Sequence, residues 1–284
     1  MPVAVVTDST AYLPERAAAN HGIAVVPLYV LIDDEAGLDG LDVDAAALTA
    51  ALTRRRTVTT SMPTPDELAH AYRTALDGGA DAVVSLHISS ELSGTWGAAV
   101  RAADQVDPAR VRVVDSRTTA MGLGFAAIAA AEASRDGASP AEVEDVAVAT
   151  AARSRTMFVV ETLEYLRRGG RIGSAAAFFG TALAVKPLLH IDDGAILPLE
   201  KVRTMGRARS RLVDLAVREA GEDEVELAVH HLGRPERAEE LAAELEKRLP
   251  LLRGCVVTEI GAVIGAHTGP GVLGVVVQHP GGSG

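Results

Sequence analysis

Three short apolar runs, at residues 3–7, 82–88 and 111–114, limit what this chain can fold into. Each is mostly aliphatic, too short for a helix, and followed by a hydroxyl- or carboxylate-bearing stretch and then a helical pattern. Aliphatic strands that alternate with helices make βαβ units around a mostly parallel sheet buried on both faces. Helices are expected at 14–22, 44–56, 66–77, from 98 onward, at 122–135, and from Ser139-Pro140 to about residue 153. A further strand is expected at 23–32, and the acidic, Gly-containing stretch 33–44 reads as a loop. In open α/β sheets ligands bind outside the carboxyl ends of the strands. Asp8-Ser9-Thr10, the loop Ser89-Ser90-Glu91-Leu92-Ser93-Gly94-Thr95-Trp96-Gly97 and Asp115-Ser116 all fall at such ends. Taken alone, Ser93 or Thr95 caps the helix that follows. Together the three stretches point to a shared site, where helical N–H groups and hydroxyls suit an anion.

The second half reads differently. A strand is expected at 157–161, a short helix at 162–168 stopped by Gly169-Gly170, and an apolar helical segment at 174–184. Strands 186–191 and 195–202 flank Asp192-Asp193-Gly194, a hairpin signal. Helix 204–220, strand 225–230 and helix 235–249 follow, and two final strands bracket residues 261–271. The expected fold is α/β with two domains. Residues 1–153 form a parallel-sheet α/β/α domain and residues 154–284 a two-layer α/β domain with a mixed sheet.

A chain of 284 residues suits two domains, and 48% hydrophobic content supports a core for each. Aromatics are only 3% and the net charge is −11, so neither base-stacking platforms nor a basic face for phosphate backbones is at hand. Nucleic acid is not an expected partner. The single cysteine, Cys255, lies in an apolar run and reads as an inert thiol, which fits a reducing cytoplasm. The chain enters its first strand without a signal-like segment, and no window holds the ~18 apolar residues of a membrane span. The expected location is cytoplasmic, with only transient membrane contact.

The chain contains neither a phosphate-binding G-x-x-x-x-G-K-[ST] loop nor a G-x-S-x-G elbow. Gly122-Leu123-Gly124 sits away from a strand-to-helix turn and reads as packing glycines. His87, His230 and His231 lack metal-ligand spacing. Arg167, Arg168 and Arg171 flank Gly169-Gly170; they can be a cationic helix stop or a docking face for an acidic or phosphorylated partner. His267-Thr268-Gly269-Pro270-Gly271 offers a titratable ring, a hydroxyl and close backbone approach, and is a candidate functional loop.

Taken in order, these stretches resemble the DegV family of fatty-acid-binding proteins over almost the whole chain. The carriers are Val6-Thr7-Asp8-Ser9-Thr10, Thr60-Ser61-Met62-Pro63-Thr64-Pro65, Ile88 to Thr95, Asp115-Ser116, Glu161 to Leu166 with the Arg-Gly stretch to Arg171, Lys186-Pro187, Lys201-Val202-Arg203 and His267 to Gly271. The resemblance implies one long-chain fatty acid, palmitate- or oleate-like, held between two α/β domains. Its carboxylate would meet Ser61 and Ser93 with Gly94 and Thr95, and Arg203, His267 and Thr268 would lie close. It implies presentation of that carboxylate to a separate ATP-dependent fatty acid kinase for phospholipid synthesis, with Arg167, Arg168 and Arg171 as the docking face. No cofactor, metal or catalytic residue is implied. The fold also resembles the substrate-binding part of dihydroxyacetone kinases, which leaves a small-molecule kinase subunit or transferase with His267 as base or nucleophile as the alternative. Met62 and Trp96 stand where Gln-like and Tyr residues are more usual in the family. The apolar segment 175–183 is a candidate wall for the tail.

Overall fold

The aliphatic runs near the N-terminus do form a parallel sheet, seen in a computed structural model that describes residues 2–179 and 185–281. The chain starts with β1 (Val3–Asp8), a 3-10 turn (Ser9–Ala11), α1 (Ala17–His21) and β2 (Ile23–Val26). One strand over 23–32 was expected; the structure has two. Pro27 has no N–H to donate to a continuing ladder, and β3 (Tyr29–Ile32) leaves for a different sheet. The acidic stretch is also not a plain loop. Asp33 and Asp34 both take positive φ, 50° and 70°, and turn the chain into β4 (Glu35–Leu38). That is the backbone of a tight hairpin turn, which Asp tolerates without glycine.

The chain continues through α2 (Ala45–Thr53), capped by Asp44, and β5 (Val58–Ser61), which pairs with β3. Next come α3 (Pro65–Asp77), β6 (Ala82–His87), α4 (Thr95–Val106), β7 (Val111–Asp115), α5 (Met121–Arg135) and α6 (Pro140–Ala152). Helices α3 and α6 both start with a capping box, Thr64–Glu67 and Ser139–Glu142, and a proline in the first turn. The second half runs β8 (Ser154–Val159), α7 (Glu164–Arg168), α8 (Ala175–Phe179), β9 (Lys186–Asp192), β10 (Ala195–Val202) and α9 (Met205–Ala220). It ends with β11 (Val225–His231), α10 (Pro235–Arg248), β12 (Leu252–Glu259), α11 (Ala262–Thr268) and β13 (Leu273–Gln278). Helix α11 falls where a connecting stretch between two strands was expected.

Among the described residues there are three sheets. The parallel sheet has the order β2-β1-β6-β7. Its two faces follow the strand alternation: Val3 and Val5 pack under α5 and α6, and Val6 and Val83 under α3 and α4. The mixed sheet has the order β10-β9-β8-β13-β11-β12, antiparallel except for β11–β12. The hairpin between β9 and β10 turns at Asp193 and Gly194, as its sequence predicts. Helices α9 and α10 cover one face of this sheet. The small antiparallel sheet β4-β3-β5 was not expected. It packs with α2 and α11 against Phe158 and Leu189 on the other face of the mixed sheet. Met121 and Phe125 of α5 reach the same face at Ala228 and Val276.

A buried polar chain ties β1 to β6. The Asp8 carboxylate accepts from the backbone N–H of Thr10 at 3.0 Å and of Ile88 at 2.9 Å, and from the Thr10 hydroxyl at 2.6 Å. It also lies 3.1 Å from His87 Nδ1. His87 Nε2 meets Ser85 Oγ at 2.8 Å, and Ser85 accepts from the Tyr72 hydroxyl at 2.9 Å. Assigned from the network, one line of donors runs from Tyr72 through Ser85 and His87 to Asp8. Burial pushes the Tyr72 phenol up to about 12, which keeps it a donor. All four side chains are buried and Ser85 does not line the cavity described below, so this serine–histidine–aspartate line holds strands together. Replacing Asp8 with Ala strands two buried backbone N–H groups and the imidazole, and is expected to cost about 3–5 kcal/mol. Urea unfolding at pH 7 measures it; an unchanged midpoint would contradict this role for Asp8.

Candidate functional site

A cavity of about 290 Å³ opens beyond the carboxyl ends of β6 and β7, where the sheet order predicts a ligand site. The loops after those strands supply Ile88, Leu92, Ser93, Gly94, Thr119 and Ala120. The opposite wall comes from the mixed sheet, through Phe158, Ile191, Ile196 and Gly274, and from Leu166 of α7. The small sheet and α11 close the space with Leu28, Thr60, Ser61, Val263, Ile264, His267 and Thr268. Most of the lining surface is apolar. Its polar groups converge from several elements, as in a site that orients an apolar ligand by one end.

His267 sits in the last turn of α11, with Nε2 2.8 Å from Thr60 Oγ1. Its Nδ1 has no hydrogen-bond partner among the described residues. The ring packs directly on Gly169, where any Cβ would overlap it. Burial, then the charge of Arg171, pulls the His267 pKa down to about 4, so the ring is neutral at pH 7. Arg171 is half-buried in the cavity wall; its Nε donates to Leu92 O at 2.9 Å and its Nη1 to Gly169 O at 2.6 Å. Its Nη2 makes no hydrogen bond among the described residues. Ser93 Oγ lies 2.8 Å from Thr95 Oγ1 and accepts from Thr95 N at 3.3 Å, so it helps to start α4 while lining the cavity. Hydroxyls, a guanidinium and a neutral imidazole at the edge of an aliphatic space can hold an anionic head whose tail is apolar.

Of the residues singled out from the sequence, Ser61, Ser93, Gly94, His267 and Thr268 line this cavity. Thr95 does not; it lies buried behind Ser93. Thr268 spends its hydroxyl on Ile264 O, at 3.0 Å, inside its own helix. Arg203 is exposed just past β10 and is not in the lining, whereas Arg171 is. Arg167 and Arg168 are exposed on α7, and Arg168 pairs with Glu164 one turn back. Met62 lines the cavity and is packed so tightly on Gly94 that a Cβ there would come 2.6 Å from its Sδ; Trp96 lies outside the lining. Of the segment 175–183, residues 180–183 lie outside the described residues. Residues 175–178 do not line the cavity: Ala175 is buried in the core and Phe178 is exposed beneath the Lys201 ammonium. Thr60 and Arg171 were missed as lining residues. Thr60 stands beside Ser61 in the Thr60-Ser61-Met62 stretch already singled out, and both line the cavity.

Among the described residues no group of three or more His, Cys, Asp or Glu could hold a metal, and no helix is long and apolar enough to cross a membrane. His230, deeper in the lining, accepts from Met121 N at 3.2 Å through Nε2, which places its proton on Nδ1 toward Thr258 Oγ1 at 2.9 Å. Burial lowers its pKa to about 4.

Two outcomes follow from this geometry. His230 binds a proton more readily in the unfolded chain, so its stabilising share is complete above pH 6.5 and is lost as pH falls toward 4. Unfolding free energy should drop between pH 7.5 and pH 5, and the drop should be about 2 kcal/mol smaller in His230→Gln; equal drops in both proteins would contradict it. The Gly169→Ala variant should displace His267 and weaken ligand binding while leaving far-UV circular dichroism unchanged. Undiminished binding would show that the ring position does not matter.

The family model for the DegV family of uncharacterised proteins matches residues 2–279. A DegV domain-containing protein of Streptomyces coelicolor is 54% identical over 276 residues, covering 97% of this chain and 98% of the relative. Two solved structures superpose over nearly the whole chain. The fatty-acid-binding DegV family protein of Thermus thermophilus has a TM-score of 0.93 at 35% identity, covering 99% of this chain and 100% of that one. DegV of Bacillus subtilis, a fatty acid binding protein, has a TM-score of 0.90 at 36% identity with the same coverage. The order of sheets, the cavity beyond the parallel strands and these likenesses converge: the chain belongs to the DegV family.

Proposed function

We propose that the chain binds one long-chain fatty acid in the cavity and presents its carboxylate to a separate ATP-dependent kinase. The carrying observation is the polarity of the lining. Thr60, Ser61, Ser93, Arg171 and His267 supply hydrogen-bonding groups, while Leu28, Leu92, Ile191, Ile196 and Val263 are among the aliphatic walls. The Thermus thermophilus and Bacillus subtilis relatives, named as fatty-acid binders, support the same ligand class. Each buried CH₂ contributes ~0.8 kcal/mol, so the tail supplies affinity. Hydrogen bonds to the charged carboxylate contribute roughly 1.5–3 kcal/mol each and fix its orientation.

Presentation of the head is supported by exposure. Ser61 and Met62 are exposed, so the polar end of the cavity is the end near the surface. Arg167 and Arg168 stand on the exposed side of α7, next to Gly169 and the His267 ring, where a partner reaching for the carboxylate would dock. The chain has no phosphate-binding loop of its own, in keeping with ATP being bound by the partner.

Native mass spectrometry of the purified protein, followed by lipid extraction, should find one fatty acid per chain. A chain that neither carries nor can be loaded with a fatty acid sinks the proposal. Arg171→Ala and Ser93→Ala should each weaken fatty-acid binding by roughly tenfold or more. With a fatty acid kinase and ATP, loaded protein should yield acyl phosphate, and the Ser61→Ala/Ser93→Ala double variant should not. Turnover of ATP or a hydroxyketone by the isolated chain would favour the dihydroxyacetone-kinase-like alternative instead.

A further inference from the structure

Helix α11 carries four cavity-lining residues, Val263, Ile264, His267 and Thr268, yet has only seven residues. A helix that short does not hold itself in water. Its N-cap is Gly261, which offers no side chain to the unpaired N–H groups of the first turn. Those groups are taken by residues more than 220 positions away in sequence. Asp39 Oδ1 accepts from Ala262 N at 2.7 Å and from Val263 N at 3.3 Å. The Tyr12 hydroxyl oxygen accepts from Ile264 N at 3.0 Å. The fit leaves no room for another residue at 261: a Cβ there would come 2.6 Å from the Tyr12 ring and 2.7 Å from Asp39 Oδ1.

Asp39 is tied as firmly on its other side. Its Oδ2 accepts from Ser9 Oγ at 2.8 Å, and Ser9 Oγ accepts from Leu28 N at 3.1 Å. Asp39 N donates to Leu28 O at 2.8 Å, and the Leu28 side chain lines the cavity. The carboxylate is 4% exposed and has no cationic partner among the described residues. Burial outweighs its hydrogen bonds and raises its pKa, so this is a costly place for a carboxylate. What the site gains is a negative group at the positive end of α11.

The small sheet thus grips α11 at both ends. Asp39, one residue past β4, holds the first turn, and Thr60, on β5, holds His267 in the last turn. We propose that Asp39 is a positioning residue for recognition of the ligand's carboxylate: it fixes α11 along its axis and so sets where His267 stands against Thr60. The inference rests on the carboxylate reading above.

The test compares binding of a long-chain fatty acid with binding of the alcohol of the same chain, in wild type, Asp39→Ala, Asp39→Asn and Tyr12→Phe, and follows the His267 imidazole by NMR. The wild type should prefer the acid. In Asp39→Ala the acid-to-alcohol preference should fall by at least about fivefold, with alcohol binding nearly unchanged and the His267 resonances shifted. Asp39→Asn, which keeps an acceptor for Ala262 and Val263, should restore most of the preference. A loss that is equal for acid and alcohol would make Asp39 merely structural and overturn the proposal, as would an unchanged preference with unmoved His267 resonances. If Asp39→Ala does not fold, Tyr12→Phe decides in the same way, through a smaller loss of preference with the same resonances shifted. A wild type with no preference for the acid instead overturns the carboxylate reading itself, while shifted His267 resonances in the variants would still report Asp39 as positioning α11.

Discussion

The mixed sheet has the long helices α9 and α10 on one face, and the need to cover its other face organises the molecule. Phe158, Leu189 and Ala228 lie on that uncovered side, between rows that α9 and α10 already bury. The first half contributes the small sheet β4-β3-β5, helix α2 and the flank of α5, and α7 and α11 of the second half complete the cover. Two α/β units are therefore joined by a shared apolar core, and the space that this core leaves unfilled is the cavity.

This arrangement explains why polar groups from four separate segments line the cavity near His267. Thr60 comes from the small sheet, Ser93 from a loop of the parallel sheet, Arg171 from the turn after α7 and His267 from α11. Neighbouring groups hold these side chains in place. Arg171 is anchored on Leu92 and Gly169 carbonyls, Ser93 on Thr95, and His267 on Thr60 and Gly169. The Arg-Gly-Gly-Arg stretch is divided by the structure: Arg171 lines the cavity and Gly169 seats the His267 ring. Arg167 and Arg168 remain at the surface.

Much of the framework was legible residue by residue. Aliphatic runs too short for helices gave the parallel strands, Ser139-Pro140 gave the start of α6, and Asp193-Gly194 gave the hairpin. The misses have local causes. The turn at Asp33-Asp34 lacks the glycine that usually announces a hairpin, so a three-stranded sheet went unread. Pro27 sat inside what looked like one apolar strand. Stretch 261–268 begins with glycine and has no cap of its own, so nothing local marks it as a helix; its cap is Asp39.

The sequence by itself determined the α/β class, the mixed character of the second half and the family motifs around Ser61, Ser93 and His267. These depend on periodicity and on short-range chemistry, which a linear string carries. The tertiary structure alone decided that Thr60 meets His267, that Arg171 and not Arg203 lies in the cavity wall, and that a carboxylate at position 39 caps a helix near the other end of the chain. Each of these is a contact between segments whose approach is set by burial of a common core, and no local pattern encodes which polar groups such burial will bring together.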